Sequence, residues 1–350
     1  MMTPPDHQTL PIESDRLPPI PCESTPTHVI PVSAIVLSYN IPTMLMDCVQ
    51  SLLSQPHIQE ILIIENGSTH PDMAATYRTI QTMSDTVTIR VMDATPPLSF
   101  SEAHNLGLDE CTHEWVLLLN NDARLHGQVL HHAVALMTQH PSVGIVGARI
   151  LNPDMTVNHL GLIPQPHQIG YEHIGRGLHG MSPYPIELPT LPAVTAACML
   201  VRRCHIRFDP HYWFGLEDID FCFQYAKEGQ QVMLSSSFVA IHPESTTRAT
   251  LQETNKDWRL KQLHGLHYFK KKWRWRWVMD WLRFFPVFLR VPDHRVVNPA
   301  VAVLANWGTA LVLLTGAIMV PTVAEYLFIT LVMVGVSLLI RTLIGWALTP

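Results

Sequence analysis

The sequence predicts an α/β domain built on a mostly parallel central sheet, followed by a C-terminal transmembrane helical hairpin. Three observations carry that reading. Strand-like and helix-like segments alternate from residue 32 onward, the pattern of a sheet with crossover helices. The leading strand-like segment is a near-continuous apolar run, as a parallel strand covered on both faces requires. The chain then closes on two uncharged apolar stretches, 296–324 and 326–340.

The elements follow in order. VSAIVLSY at 32–39 is the first strand. Residues 42–53 read as a helix, with Pro42 in its first turn, where a missing N–H costs nothing. EILIIE at 60–65 is the second strand, an Asn-Gly-Ser turn follows, and TVTIRVM at 86–92 is the third strand. A short helix spans 101–110, EWVLLLN at 114–120 is a strand, 127–139 is helical, and VGIVGARI at 143–150 returns to strand. The stretch 158–177 holds several Gly and His residues and is weakly periodic, which suits an active-site flap or acceptor-side insert. TAACMLVR at 195–202 is a strand, FCFQYAKEG at 221–229 a helix that Gly229 closes, and QVMLSSSFVAIH at 231–242 the last strand.

A length of 350 residues allows one large domain and a tail, or two small domains. The expected division is a disordered Pro-rich lead-in at 1–30 and a domain at 31–258. A basic, Trp-rich interfacial segment at 259–295 and membrane helices at 296–321 and 322–348 complete it. The first apolar stretch is long enough to span; the second needs flanking residues, and a re-entrant second segment is the alternative. KKKWRWRWVMDWLRFF at 270–285 supplies the cations and indoles that favour headgroup depth.

The net charge of -6 gives no nucleic-acid signature, and no nucleic-acid partner is expected. The basic residues concentrate between Arg259 and Arg295, which suits membrane lipids with anionic headgroups or an anionic lipid-linked substrate. Residues 1–28 carry no apolar core of a signal-peptide kind, and the six cysteines form no CxxC pair. With the positive-inside bias, the expectation is the inner (cytoplasmic) membrane, with the catalytic domain facing the cytoplasm.

Functional residues are expected at the carboxyl ends of the strands. The first strand ends SYNIPT without the glycine fingerprint of a dinucleotide fold, so NAD chemistry is not expected. The strand ends carry a different pattern: SYN at 38–40, IIENGS at 63–68, NLG at 105–107, LLLNNDARL at 117–125, and FGLEDIDFCFQYAKEGQQV at 214–232. In order, spacing and strand-end placement these segments resemble glycosyltransferase family 2, nearest to its rhamnosyltransferase-like branch, over roughly residues 32–248. The resemblance implies a GT-A fold, a nucleotide-diphospho-sugar donor, a divalent cation and inversion at the anomeric carbon.

Carried onto this sequence, the resemblance matches Asn120, Asn121 and Asp122 to the family's metal-binding acidic motif. Asp122 is then the metal-ligating carboxylate for Mg²⁺ or Mn²⁺, with Asn120 where an aspartate is usual. Glu65 matches the carboxylate that grips the nucleobase, and Asn66 is a candidate to share that role. Ser38, Tyr39 and Asn40 are expected in the same pocket, and Asn105 near the donor. Asp218 is the expected general base that takes the acceptor hydroxyl's proton, with Glu217 orienting the acceptor or serving as base itself. Asp220 is read as a cap on the helix amides. His242 is a candidate second metal ligand, Arg248 a phosphate contact, and Trp213 the acceptor platform.

The expected function is therefore membrane-anchored inverting transfer of a sugar to a lipid-linked or cell-surface polysaccharide acceptor. L-rhamnose from dTDP-rhamnose is the specific donor reading. The alternative is a non-catalytic membrane-bound sensor or scaffold on the same fold, which Asn120 and Glu65 keep open. A polymerising synthase is disfavoured, since an export pore needs more spans than this tail offers.

Overall fold

The computed structural model describes residues 29–165, 170–180, 190–213, 215–243 and 258–288. The membrane helices expected at 296–321 and 322–348, the lead-in at 1–28 and Arg248 lie outside them. No helix among the described residues is long and apolar enough to cross a membrane.

The first half of the domain follows the apolar pattern closely. β1 (Val32–Ser38) leads to α1 (Pro42–Leu53), β2 (Ile58–Glu65), α2 (Met73–Gln81) and β3 (Thr88–Asp93). α1 forms because Leu45, Cys48, Val49 and Leu52 recur on one face, and that face is buried. The sequence reading left α2 out, because only Met73 and Ile80 of its residues are buried and the rest is polar.

α3 (Phe100–Glu110) begins with a reciprocal capping box between Ser99 and Glu102. β4 (Trp115–Asn120), β5 (Arg124–Leu125), α4 (Leu130–Gln139) and β6 (Val143–Leu151) follow. The insert forms short strands β7 (Val157–His159), β8 (Leu162–Pro164) and β9 (Tyr171–His173). β10 (Cys198–Arg202), α5 (Glu217–Lys227), β11 (Gln231–Ile241) and a long helix, α6 (Trp258–Phe288), complete the described chain.

The main sheet has the order β3-β2-β1-β4-β10-β6-β11-β5, with β7 paired to β6. β3, β2, β1 and β4 are parallel, as expected. The other half is mixed: β10 runs antiparallel to both β4 and β6, whereas β11 is parallel to β6. Because β10 is reversed against both neighbours, β6 and β11 run in the same direction as β1–β4. The expectation of a mostly parallel sheet therefore holds, with β10 and the short β5 and β7 as the reversed strands. The reason is connectivity. The insert brings the chain back at the carboxyl end of β4, since Asn120 N–H donates to Ala197 C=O, so β10 must run back down the sheet.

Alternate strand residues feed two cores. Ile35, Leu62, Ile64, Val116 and Leu118 face α3, α5 and α6, while Ala34, Val36, Ile63, Leu117 and Leu119 face α1, α2 and α4. Gly107 lets α3 approach β1: a Cβ there would come within 2.7 Å of Ile35 Cγ2. That close approach gives the glycine of the NLG segment a packing role.

Candidate active site

A cleft of about 970 Å³ opens at the carboxyl ends of β1, β4 and β6 and at the entry to β10. That includes the point where the strand order reverses, between β1 and β4, at which an open α/β sheet binds ligands. Tyr39, Asn66, Asn120, Asn121, Asp122, Trp213, Glu217, Asp218 and His242 all line it, so one cavity collects most of the residues singled out from the sequence.

Four of the residues expected at the donor, Ser38, Asn40, Glu65 and Asn105, do not line it. Ser38 is buried, with its hydroxyl 2.8 Å from the Tyr77 phenol. Asn40 Oδ1 accepts the N–H groups of Thr69 and His70, at 2.8 and 2.9 Å, and its own N–H donates to Ser68 Oγ. Both oxygens of Glu65 accept from Ser68, one from its N–H and one from its hydroxyl. Asn40 and Glu65 brace the turn after β2, because short polar groups at a strand end bond most readily to nearby backbone amides, whereas Ser38 is tied to α2 through Tyr77. The turn has something to brace: Asn40 and Ile41 both have positive φ, 54° and 51°, a strained backbone for β-branched Ile41.

Two asparagines act as backbone mimics. Asn66 donates to Leu98 C=O at 3.0 Å and accepts from Leu98 N–H at 2.8 Å. Asn105 does the same with Phe208, at 2.8 and 2.7 Å. Asn66 still borders the cleft, whereas Asn105, expected near the donor, does not.

At the end of β4, Asp122 Oδ1 lies 3.0 Å from His242 Nε2, and the amide of Asn120 is 3.5 Å from the same nitrogen. Asp122 Oδ1 is buried and receives no hydrogen bond. Two cis ligands of an octahedral ion with bonds of ~2.1 Å stand about 3.0 Å apart. The pair therefore fits a hard divalent cation, with an anionic oxygen and an imidazole nitrogen as donors. Among the described residues no group of three or more His, Cys, Asp or Glu converges; Asp122 and His242 are the two neighbouring groups that would hold such a cation.

Glu217 and Asp218, which line the same cleft, open α5 after Gly215 and Leu216, both at positive φ. Burial pushes the Asp218 carboxyl above its ordinary range, against hydrogen bonds from Ile219 N–H, the Thr195 hydroxyl and Ala196 N–H. Asp220 does not cap the helix amides, as the sequence reading had it. It is fully buried and accepts from Tyr212, Gln224 and Trp273, with Lys272 Nζ 2.8 Å away.

Those last two partners belong to α6, which is part of the cleft's frame. Gln262 and Leu266 line the cleft, and Lys261 Nζ sits 4.2 Å from the centroid of the Trp213 ring. Trp277 Nε1 donates to Gly170 C=O, and Tyr171 donates to Asp280 at 2.9 Å. α6 thus grips α5 on one side and the β8–β9 hairpin on the other.

Residues 33–186 match the family model described as Glycosyl transferase family 2. The chain carries a family 2 glycosyltransferase domain. It has the GT-A fold, the class that transfers sugars from nucleotide-sugar donors. Among curated proteins the domain is similar to the O-antigen biosynthesis protein RfbC of Myxococcus xanthus, 27% identical over 62% of this chain and 18% of that protein. It is also similar to the uncharacterized protein y4gI of Sinorhizobium fredii (strain NBRC 101917 / NGR234), 25% identical over 73% of this chain and 28% of that protein. The chain thus spans less than a third of the length of either relative.

Two solved structures share the fold. The mannosyltransferase PcManGT from Pyrobaculum calidifontis, in complex with GDP-Man and Mn²⁺, superposes with a TM-score of 0.52 at 16% identity, covering 89% of this chain and 87% of its own. GalNAc-T7 with UDP, GalNAc and Mn²⁺ superposes with a TM-score of 0.51 at 12% identity, covering 62% and 44%.

The glycosyltransferase domain also contributes cleft residues that the sequence reading missed. Thr195, His173, Arg176, Gln262 and Leu266 line the cavity. The Ser99-x-x-Glu102 capping signal could have marked the loop before α3, since both of its ends border the cleft. Nothing in the local sequence of α6 marks Gln262 or Leu266, because their place depends on how the helix docks.

Proposed function

We propose that this chain is a metal-dependent inverting glycosyltransferase working at the cytoplasmic face of the inner membrane. It moves a sugar, L-rhamnose from dTDP-rhamnose in the specific reading, onto a lipid-linked or cell-surface polysaccharide acceptor. The observation that carries the reading is the convergence in one cleft of the Asp122–His242 pair and Asp218.

Tyr39 and Asn66, at the β1 and β2 ends of the cleft, border the nucleotide, with Asn66 holding the 96–98 segment as the pocket's edge. Asp122 and His242 would hold a divalent cation, which when bound supplies positive charge to the diphosphate as it leaves. Arg176 lines the same cleft and adds a cation from the hairpin side. Asp218 takes the proton of the acceptor hydroxyl as that oxygen attacks the anomeric carbon from the face opposite the diphosphate. A raised carboxyl makes the stronger base, and the Ile219 N–H, 2.8 Å from Oδ1, holds its direction. Trp213, with Lys261 over its ring, offers an aromatic wall for the acceptor.

The membrane part of the reading rests on the apolar stretches 296–324 and 326–340 and on the outer face of α6. That face exposes Leu260, Leu263, Trp275 and Met279, with Lys271 also exposed, a mixture suited to a headgroup layer. RfbC, as an O-antigen biosynthesis protein, is the relative that favours a surface-polysaccharide acceptor.

The test is a panel of UDP-, dTDP- and GDP-sugars presented to detergent-solubilised protein with Mg²⁺ or Mn²⁺. Metal-dependent turnover of one donor is expected. No binding of any nucleotide sugar would contradict the assignment of the cleft.

A further inference from the structure

The first turns of α6 stand between the cleft and the outer face of that helix. Gln262 and Leu266, one turn apart on one side, line the cleft. Leu260, Leu263, His264 and His267 recur on another side, and all four are exposed. Lys261 falls between the two sides, and its Nζ sits 4.2 Å from the centroid of the Trp213 ring, itself part of the cleft lining.

The cations of α6 are not used alike. Lys272 reaches Asp209 and Asp220, at 2.6 and 2.8 Å, and Arg276 reaches Asp280 at 3.0 Å, so the domain balances their charge. Lys261 has no carboxylate partner among the described residues and meets an indole face instead. Nor do residues 258–279 contain an Asp or Glu. An ammonium has three N–H donors, and a ring face occupies one direction only. The cation at the cleft rim is therefore held in place with donors left for an anion.

The surroundings restrict what carries that anion. On one side of Lys261 lies the aromatic wall of the cleft, which suits a sugar ring. On the other lies exposed Leu260, with Leu263 continuing the same side. A ligand with a sugar against Trp213 and a phosphate on Lys261 leaves the cleft over these leucines. An alkyl chain gains from covering them, and a free phosphate does not.

We propose that the 260–266 turns of α6 form a subsite for the phosphate of an acceptor attached to an apolar chain. Lys261 is the counter-charge, and Leu260 and Leu263 begin the path of the chain. The inference rests on the acceptor side of the proposed transfer and narrows the acceptor to the lipid-linked class.

The test uses the full chain in neutral detergent, labelled with fluorotryptophan and observed by ¹⁹F NMR. Loss of one signal in Trp213→Phe assigns the Trp213 resonance. The probes are decyl phosphate, decyl glucoside and inorganic phosphate. The two decyl compounds enter the micelle alike, so a difference between them belongs to the head group. A saturable shift of the Trp213 signal is expected with decyl phosphate, and a response at least about tenfold weaker with the other two. Lys261→Met should weaken decyl phosphate about tenfold, the worth of one charge-assisted hydrogen bond, with the other tryptophan signals in place. Lys261→Arg should restore it. Leu260→Ser combined with Leu263→Ser should bring decyl phosphate down toward inorganic phosphate.

Equal response to decyl glucoside, or unchanged affinity in Lys261→Met, would overturn the anion subsite. Equal response to inorganic phosphate would overturn the lipid-linked class. Donor turnover by the wild type without a decyl phosphate response would sink the subsite and keep the transfer reading. The expected response with no donor turned over would fault the transfer reading and leave the subsite established.

Discussion

Lys272 Nζ lies 2.8 Å from Asp220 Oδ1, two residues beyond the carboxylate proposed as base, and 2.6 Å from Asp209 Oδ2. A residue of the basic, Trp-rich segment is thus spent on the domain itself. Trp273 adds its indole N–H to the same Asp220 oxygen, and Tyr268 donates to Asp209 at 2.9 Å. The inner face of α6 fastens the start of α5, and only the outer face is left for lipid.

Removing this clamp should loosen the domain. Lys272→Ala leaves fully buried Asp220 without its cation. Breaking a buried pair costs ~3–5 kcal/mol, and because Lys272 is partly exposed we expect about 2 kcal/mol. For a domain of this size that lowers Tm by roughly 4–8 °C, measured by thermal unfolding in detergent. Asp220→Asn, which keeps an acceptor for Trp273, should cost less.

The clamp has a defined pH window. Burial favours neutral Asp209, but the bonds from Lys272, His211 and Tyr268 outweigh it and hold the carboxyl well below its ordinary range. Burial likewise opposes the Lys272 charge, and the two aspartates overcome it and raise the ammonium above 10.5. The Asp209 contribution is complete above the unfolded carboxylate pKa of ~4 and fades as acid protonates the folded group. The Lys272 contribution is complete below the unfolded lysine pKa of ~10.4 and fades as alkali removes the folded proton. The Tm difference between wild type and Lys272→Ala should therefore stay level from about pH 5 to 9 and shrink outside that range.

Asp218 predicts the pH dependence of turnover. Its carboxyl is raised by burial, so the acid limb of kcat/KM should lie above the ordinary aspartate value of ~3.9. A limb at or below that value would show that the titrating base lies elsewhere.

The proposed metal site can be strengthened as well as broken. Asp122→Asn removes the one carboxylate of the pair and should raise the Mn²⁺ needed for half-maximal turnover at least about tenfold, since even outer ligand-shell changes cost that much. Asn120→Asp adds a carboxylate at a position now 3.5 Å from His242 Nε2 and should lower that requirement. Mn²⁺ titration of donor hydrolysis reads both.

The strands and α1 were legible because their apolar residues recur with a period set by the backbone, and α1 matches its expected bounds of 42 and 53. Asp122 and His242 were legible as neighbours because they follow the ends of β4 and β11. Glu217 and Asp218, singled out through the family resemblance, open α5 on the same cleft. What the sequence hid are contacts between distant segments. Ser38, Asn40 and Glu65 pointed to a ligand by type and position, yet each has a partner of its own, Tyr77 of α2 for Ser38 and the turn after β2 for the other two. Asn105 is committed to Phe208, more than a hundred residues away in the chain. The segment 259–295 read as interfacial from its cations and indoles. Over the described part of α6, Trp277 and Trp281 are buried while Trp275 is exposed, a division that follows from docking geometry and not from composition.

The most direct test of the account is turnover of the donor panel by wild type and Asp218→Asn side by side, with donor affinity measured on both. We predict metal-dependent turnover of one nucleotide sugar by the wild type, a loss of about 10²–10⁴-fold in the variant, and donor affinity unchanged. Equal turnover by the two proteins would contradict the assignment of Asp218 as the base.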